Sequence, residues 1–118
     1  MSTHSIQRIG ESARWADVVI HAGVARWVEV AADRSQDVRG QVTQVLAQID
    51  ETLTQIQSSR EHLLQILIYL ADLKDIGTLN ELWDAWVPLG HAPVRACVQA
   101  GMAADCLVEM IITAAVPV

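Results

Sequence analysis

Cysteine, proline and glycine are scarce in this chain of 118 residues, at two, three and six copies. Both cysteines, Cys97 and Cys106, lie in one short stretch with no CxxC pair, and no two histidines stand at ligand spacing. This argues against a structural zinc site or a disulfide framework, so no metal is expected. The few glycines and prolines punctuate elements rather than divide the chain, and no repeat or low-complexity tract is present. A single domain over residues 1–118 follows. Although 52% of the residues are hydrophobic, no apolar run approaches the length of a membrane span, so a soluble globular domain is expected, with no membrane partner. The opening MSTHSIQRIG has neither the apolar core of a secretory signal nor the basic pattern of an organelle presequence, which makes the cytoplasm the expected compartment. Basic residues are outnumbered, 8 Lys and Arg against 14 Asp and Glu for a net charge of −6, and they do not cluster. A phosphate backbone finds no neutralising surface here, and no nucleic-acid partner is expected.

The hydrophobic pattern supplies the elements. Ile6–Ile9 reads as a short first strand, and Asp17–His21 with Val24–Val30 as a hairpin turning at Ala22-Gly23. Between Ser35 and Ser58 the apolar positions Val38, Val42, Val45, Leu46, Ile49, Leu53 and Ile56 recur in steps of three and four, which is one helical stripe. The segment HLLQILIYL, His62–Leu70, suits a buried strand by length and a helix by its leucines; as a strand it gives the helices a sheet to pack on. Asp75 is placed to cap a second helix whose apolar face is Ile76, Leu79, Leu82, Trp83, Trp86 and Val87, ending before Pro88. The Trp83/Trp86 pair reads as core packing. Val94–Gln99 and Leu107–Ala115 are the last two strands, joined as a hairpin by the Gly101–Asp105 loop. The order is β-β-β-α-β-α-β-β, an α+β fold with two helices on one face of a mixed sheet. LLQILIYL and LVEMIITAAV are apolar on both pleat faces, while two helices cover only one. Another subunit is the expected cover for the second.

The segment HAPVRACVQAG, residues 91–101, carries the sharpest anomaly. Pro93 enforces extended backbone ahead of it. Val94, Ala96 and Val98 then share one pleat face, with Arg95, Cys97 and Gln99 on the other. A guanidinium keeps its charge at any physiological pH. Arg95 is therefore either an edge-strand arginine snorkelling to solvent or a cleft residue meeting an anionic ligand. Glu109 is a second charge inside an apolar strand. If the last hairpin puts it on the face of Arg95, the two can form an ion pair, or Glu109 can orient water beside the cation. Cys97 has no histidine placed by spacing to activate it and reads as a small buried residue.

The stretches ARWADVVIH, NELWDAW, HAPVRACVQAG and VEMIITAAV, taken with the element order, resemble the RidA/YjgF family from about Arg14 to Val116, in a small-chain branch with ARWxDVVIH near its start and GHAPVR before the last hairpin. The resemblance implies a chorismate-mutase-like fold, a homotrimer and three clefts between subunits. It implies hydrolysis of reactive enamines and imines, such as 2-aminoacrylate and 2-iminopropanoate, to 2-keto acids and ammonia, with no cofactor. By the same resemblance Arg95 grips the substrate carboxylate, the main chain at Cys97 helps hold the attacking water, and Glu109 orients that water. Asn80 lines the cleft, and Trp15 falls where the deaminases carry a tyrosine that closes over the substrate. Two positions depart from the pattern. Trp15 lacks the hydroxyl, and Glu29 in Arg26-Trp27-Val28-Glu29-Val30 replaces a glycine close to substrate, where its carboxylate either repels an anionic substrate or pairs with Arg95. The other classes this sequence supports are a non-catalytic binder of small carboxylates or a regulatory protein, and an interaction module. The ribonuclease role attached to the family's name fits poorly with the acidic balance.

Overall fold

The computed structural model describes residues 5–117. Its sheet begins as a meander of β1 (Ile6–Ile9), β2 (Val18–His21) and β3 (Val24–Val30), each antiparallel to the next. Ala22 and Gly23 both take positive φ, 52° and 76°, the backbone that lets a two-residue hairpin match strand twist. Helix α1 (Val38–Gln55) follows, with the Asp37 carboxylate accepting from the Gly40 N–H at 2.9 Å. It stops in a Schellman turn: Gln57 takes φ 60°, and its N–H and that of Ser58 donate to the carbonyls of Thr54 and Leu53 at 3.1 and 2.8 Å. The predicted stripe is the buried one, with Val42, Val45, Leu46, Ile49 and Leu53 all in the core.

HLLQILIYL resolves as a strand, β4 (Leu63–Leu70), after a short 3-10 turn at Arg60–His62. Helix α2 (Ile76–Trp86) buries Leu79, Trp83 and Trp86. Asp75 does not cap it through its side chain; a 3-10 turn over Leu73–Asp75 precedes the helix, and Asp72 accepts from the Lys74 N–H at 2.9 Å instead. The chain then returns as β5 (Val94–Gln99) parallel to β4, and ends in β6 (Val108–Ala115). The sheet order is β1-β2-β3-β6-β4-β5. The expected β5–β6 hairpin is therefore absent: β4 lies between them, because β4-α2-β5 is a crossover unit that must run parallel.

One sheet face carries the core. Ile66, Ile68, Leu70, Val108, Met110 and Ile112 are all at most 1% exposed beneath the helices. On the other face an apolar band, Val28–Ile111–Leu67–Ala96, runs across four strands in register. A polar row, Arg26–Thr113–Gln65, lies beside it. The second face is thus apolar along a band, not throughout.

The β5–β6 connection is held by a buried amide. Gln41 on α1 is fully buried; its amide donates to the carbonyls of Asp105 (2.9 Å) and Gln36 (3.1 Å), while its oxygen accepts from the Leu107 N–H at 3.0 Å. Gln41→Leu should cost about 1–3 kcal/mol by urea titration, since the part-buried carbonyl of Asp105 and N–H of Leu107 then lose their partner; an unchanged midpoint would mean that water replaces the amide.

Candidate functional site

Arg95 and Cys97 occupy β5, the edge strand, opposite Ile66 and Ile68 of β4. Those β4 residues are buried under the helices, so the pleat places Arg95 and Cys97 on the helix side of the sheet. The apolar residues Val94 and Val98 face outward, at 65% and 46% exposure. This reverses the usual burial of an alternating strand. The half-buried Arg95 lays its guanidinium over the Trp83 indole, Cζ 5.3 Å from the ring centroid. Among the described residues it has no ion pair. Asn80 stands one turn before Trp83 on α2 and so on the same side of the helix. Burial pushes the Cys97 thiol up, and the nearby Arg95 charge offsets only part of that rise. The thiol is protonated at neutral pH and is a poor nucleophile.

Glu109 lies elsewhere. Its register partners are Val30 of β3 and Tyr69 of β4, on the face away from the helices. It touches two cavities. One, of about 650 Å³, is lined also by Trp15, Asp17, Glu29, Arg34 and Thr52. The other, of about 420 Å³, is lined by Tyr69, Gly101 and Met102. Trp15 is 63% exposed at the rim of the larger one. Arg95 lines neither. It is separated from Glu109 by the width of β4, about 10 Å across two strand spacings, and by the sheet itself. Within one chain the Arg95–Glu109 ion pair does not form, and the pair does not share a face.

Glu29 does not meet Arg95 either. Its side chain turns towards α1, where Oε1 accepts from Trp27 Nε1 (3.1 Å) and Thr52 Oγ1 (2.9 Å) and Oε2 accepts from Gln48 Nε2 (3.1 Å). These bonds suit a carboxylate, an acceptor-only group, and they tie β3 to α1. The candidate residues thus fall into two groups: Arg95, Cys97 and Asn80 around the β5 edge and α2, and Trp15, Glu29 and Glu109 around the larger cavity. Sequence reasoning missed two neighbours, Trp83 under Arg95 and Tyr69 beside Glu109. Nothing in the linear pattern links either pair until the β4–β5 and β4–β6 registers are known.

Comparisons with known proteins agree with this architecture. The family model described as Endoribonuclease L-PSP matches residues 5–116. A RutC family protein from Escherichia coli K12, YoaB, is 44% identical over 98 residues, 83% of this chain and 86% of the relative. A RutC family protein from Haemophilus ducreyi is 36% identical over 113 residues, 94% of this chain and 97% of the relative. Among solved structures, a protein from Pseudomonas aeruginosa superposes with TM-score 0.90 at 37% identity, over 94% of this chain and 98% of that one. A member of the YjgF protein family from Neisseria meningitidis gives TM-score 0.89 at 35% identity, over 97% of both chains. With the sheet order, the helix layer and the Pro93-Val94-Arg95-Ala96-Cys97 strand all in place, the chain belongs to the RidA/YjgF family.

Proposed function

We propose that this protein hydrolyses small 2-imino acids and their enamine tautomers, of the 2-aminoacrylate and 2-iminopropanoate type, to 2-keto acids and ammonia in the cytoplasm. The observation that carries the reading is Arg95, a half-buried guanidinium on an edge strand with no ion pair among the described residues. Its planar fork matches a carboxylate bidentately. Water adds to the imine carbon and gives up a proton; the tetrahedral adduct then expels the nitrogen as ammonia and leaves the ketone. The reaction consumes one water and needs no redox partner or metal. Glu109 is the proton acceptor for that water, the main chain at Cys97 helps place it, Asn80 lines the cleft and Trp15 closes over it.

Because Arg95 and Glu109 lie on opposite faces of one chain's sheet, a single site needs two copies. The apolar Val28–Ile111–Leu67–Ala96 band supports association, and a homotrimer with three inter-subunit clefts is the assembly proposed. Sedimentation of a stable monomer at micromolar concentration would remove it.

The test generates 2-iminopropanoate with an amino-acid oxidase and traps it with semicarbazide. Loss of the trapped product on adding this protein is the expected result; unchanged trapping sinks the hydrolase reading. A second reading, a non-catalytic carboxylate binder, draws on Glu29, which lines the larger cavity where the deaminases carry glycine. That reading predicts 2-keto acid binding with no loss of trapped imine. Cys97→Ala should keep turnover within about tenfold, near ~1.4 kcal/mol, because a protonated thiol does no chemistry. A dead, folded Cys97→Ala protein would point to thiol catalysis instead.

A further inference from the structure

We infer that Trp83 is a positioning residue for Arg95, the end of a stack that begins at Asp50 and holds the guanidinium ready for a carboxylate; the inference rests on the reading of Arg95 as the substrate anchor. Two arginines lie on two neighbouring tryptophans of α2. Arg60 sits over Trp86, Cζ 5.0 Å from the ring centroid, and Arg95 over Trp83 at 5.3 Å. The two indoles meet at 5.6 Å between centroids, tilted by 46°. Their spacing of three residues puts both on one side of the helix.

The two cations differ in what their N–H groups do. Arg60 Nε and Nη2 donate to the two oxygens of Asp50 at 2.8 and 2.7 Å, and Nη1 donates to the Trp86 carbonyl at 2.8 Å. All three of its nitrogens are committed. Trp86 Nε1 also donates to Asp50 Oδ2, at 3.2 Å. Trp86 is thus fixed from its ring face by a cation and from its ring edge by the carboxylate that holds the same cation. Trp83 packs against it and is 5% exposed. Arg95, at the far end, makes no ion pair among the described residues.

That contrast decides the role of the stack. An indole attracts a cation through its face, whereas guanidinium donors point outward in the guanidinium plane. A carboxylate partner would immobilise Arg95 and use up its fork. Trp83 immobilises it and leaves the fork free. Long arginine side chains lose much rotamer freedom on binding a ligand, so holding the group beforehand removes part of the cost of association. Plain core packing, which Trp83 also provides, makes no such demand on the ring's face.

The test separates the two roles. In the unliganded protein, 15Nε relaxation should show Arg95 nearly as ordered as Arg60 and far more ordered than exposed Arg14. An Arg95 as mobile as Arg14 overturns the inference without any mutation. Binding of 2-oxobutanoate by calorimetry supplies the second readout. Trp83→Leu should weaken it about tenfold and Trp83→Phe, which keeps an aromatic face, only about threefold, in line with the range of cation–π strengths. If Trp83→Leu does not fold, Trp83→Phe and the relaxation data decide. Should Arg95→Lys weaken binding while both Trp83 variants bind like wild type, Trp83 is packing alone and this inference falls, leaving the anchor intact. Should Arg95→Lys bind like the wild type, or the wild type not bind, the anchor reading fails and the positioning role falls with it.

Discussion

Arg95→Ala should lower kcat/KM for 2-iminopropanoate by two or more orders of magnitude, roughly 3 kcal/mol or above, in a protein that still folds. The proposed substrate is a small anion whose only strongly recognisable feature besides the imine is its carboxylate. Truncating the guanidinium removes both the charge and the bidentate geometry that orients the imine carbon towards water. The fold survives because Arg95 carries no ion pair among the described residues and stands on an edge strand; its loss uncovers one face of Trp83. Thermal unfolding should therefore shift by only a few degrees, consistent with the small worth of a partly exposed cation–π contact. Steady-state rates with oxidase-generated imine give the first number and a melting curve the second. Activity within tenfold of wild type would make Arg95 a structural group and remove the centre of the proposed site.

Most of the fold is legible in the linear pattern because burial imposes local periods. The α1 stripe repeats every three to four residues and is the buried stripe. Alternation in VEMIITAA puts Val108, Met110, Ile112 and Ala114 in the core. Gly23 announces its turn because glycine takes positive φ without a Cβ penalty; Ala22 adopts φ 52° beside it, a conformation that alanine alone does not signal. The pairing of β5 is harder to read. The short Gly101–Asp105 loop suggests a hairpin by length alone, but the α2 crossover forces β5 parallel to β4 and onto the edge. Pairing is a tertiary property, and only the handed βαβ rule applied to β4-α2-β5 anticipates it. The α2 start also misleads: Asp75 stands at the N-cap position but closes a 3-10 turn, Leu73–Asp75, so its carboxylate makes no capping bond, and the side-chain cap belongs to that turn, from Asp72.

The site was legible as residue types and not as geometry. Arg95 and Glu109 stand out as charges within apolar strands, yet whether they share a face depends on the register, and a one-residue slip reverses it. With β4 interposed, they end on opposite faces. Glu29 looks from sequence like an intruding charge at a glycine position; its three donors, from Trp27, Gln48 and Thr52, give it a structural occupation as well. Glu29→Gly, attractive as a way to open the site, therefore orphans a part-buried indole N–H and loosens β3 from α1. Glu29→Gln is the sounder probe, because its carbonyl oxygen can still accept from Trp27 and Thr52 while the negative charge is gone.

The division of the site between faces leads to the second large effect. In the proposed trimer each cleft takes Arg95 from one subunit and Glu109 from the next. Arg95→Ala and Glu109→Gln trimers should each be nearly inactive, the second because an amide accepts no proton from water. Mixing the two chains by co-refolding at equal amounts should then restore activity. A cleft is intact when its Arg95 comes from the Glu109→Gln chain and its Glu109 from the Arg95→Ala chain, which happens in about a quarter of randomly assembled interfaces. The mixture should thus reach about a quarter of the wild-type rate, many times either parent. Tagging one chain and isolating mixed trimers excludes refolding artefacts, and parents refolded separately and then combined provide the baseline. A site completed within a single chain predicts no recovery, since every cleft then lacks one residue or the other. Recovery pinned to that baseline, with both parents inactive and the trimers shown to be mixed, would rule out the shared cleft and require that the sheet opens to bring both faces of one chain together. Such opening needs β4 to leave the middle of the sheet, where Ile66, Ile68 and Leu70 are at most 1% exposed, and the loss of that core is far too costly to accompany each turnover.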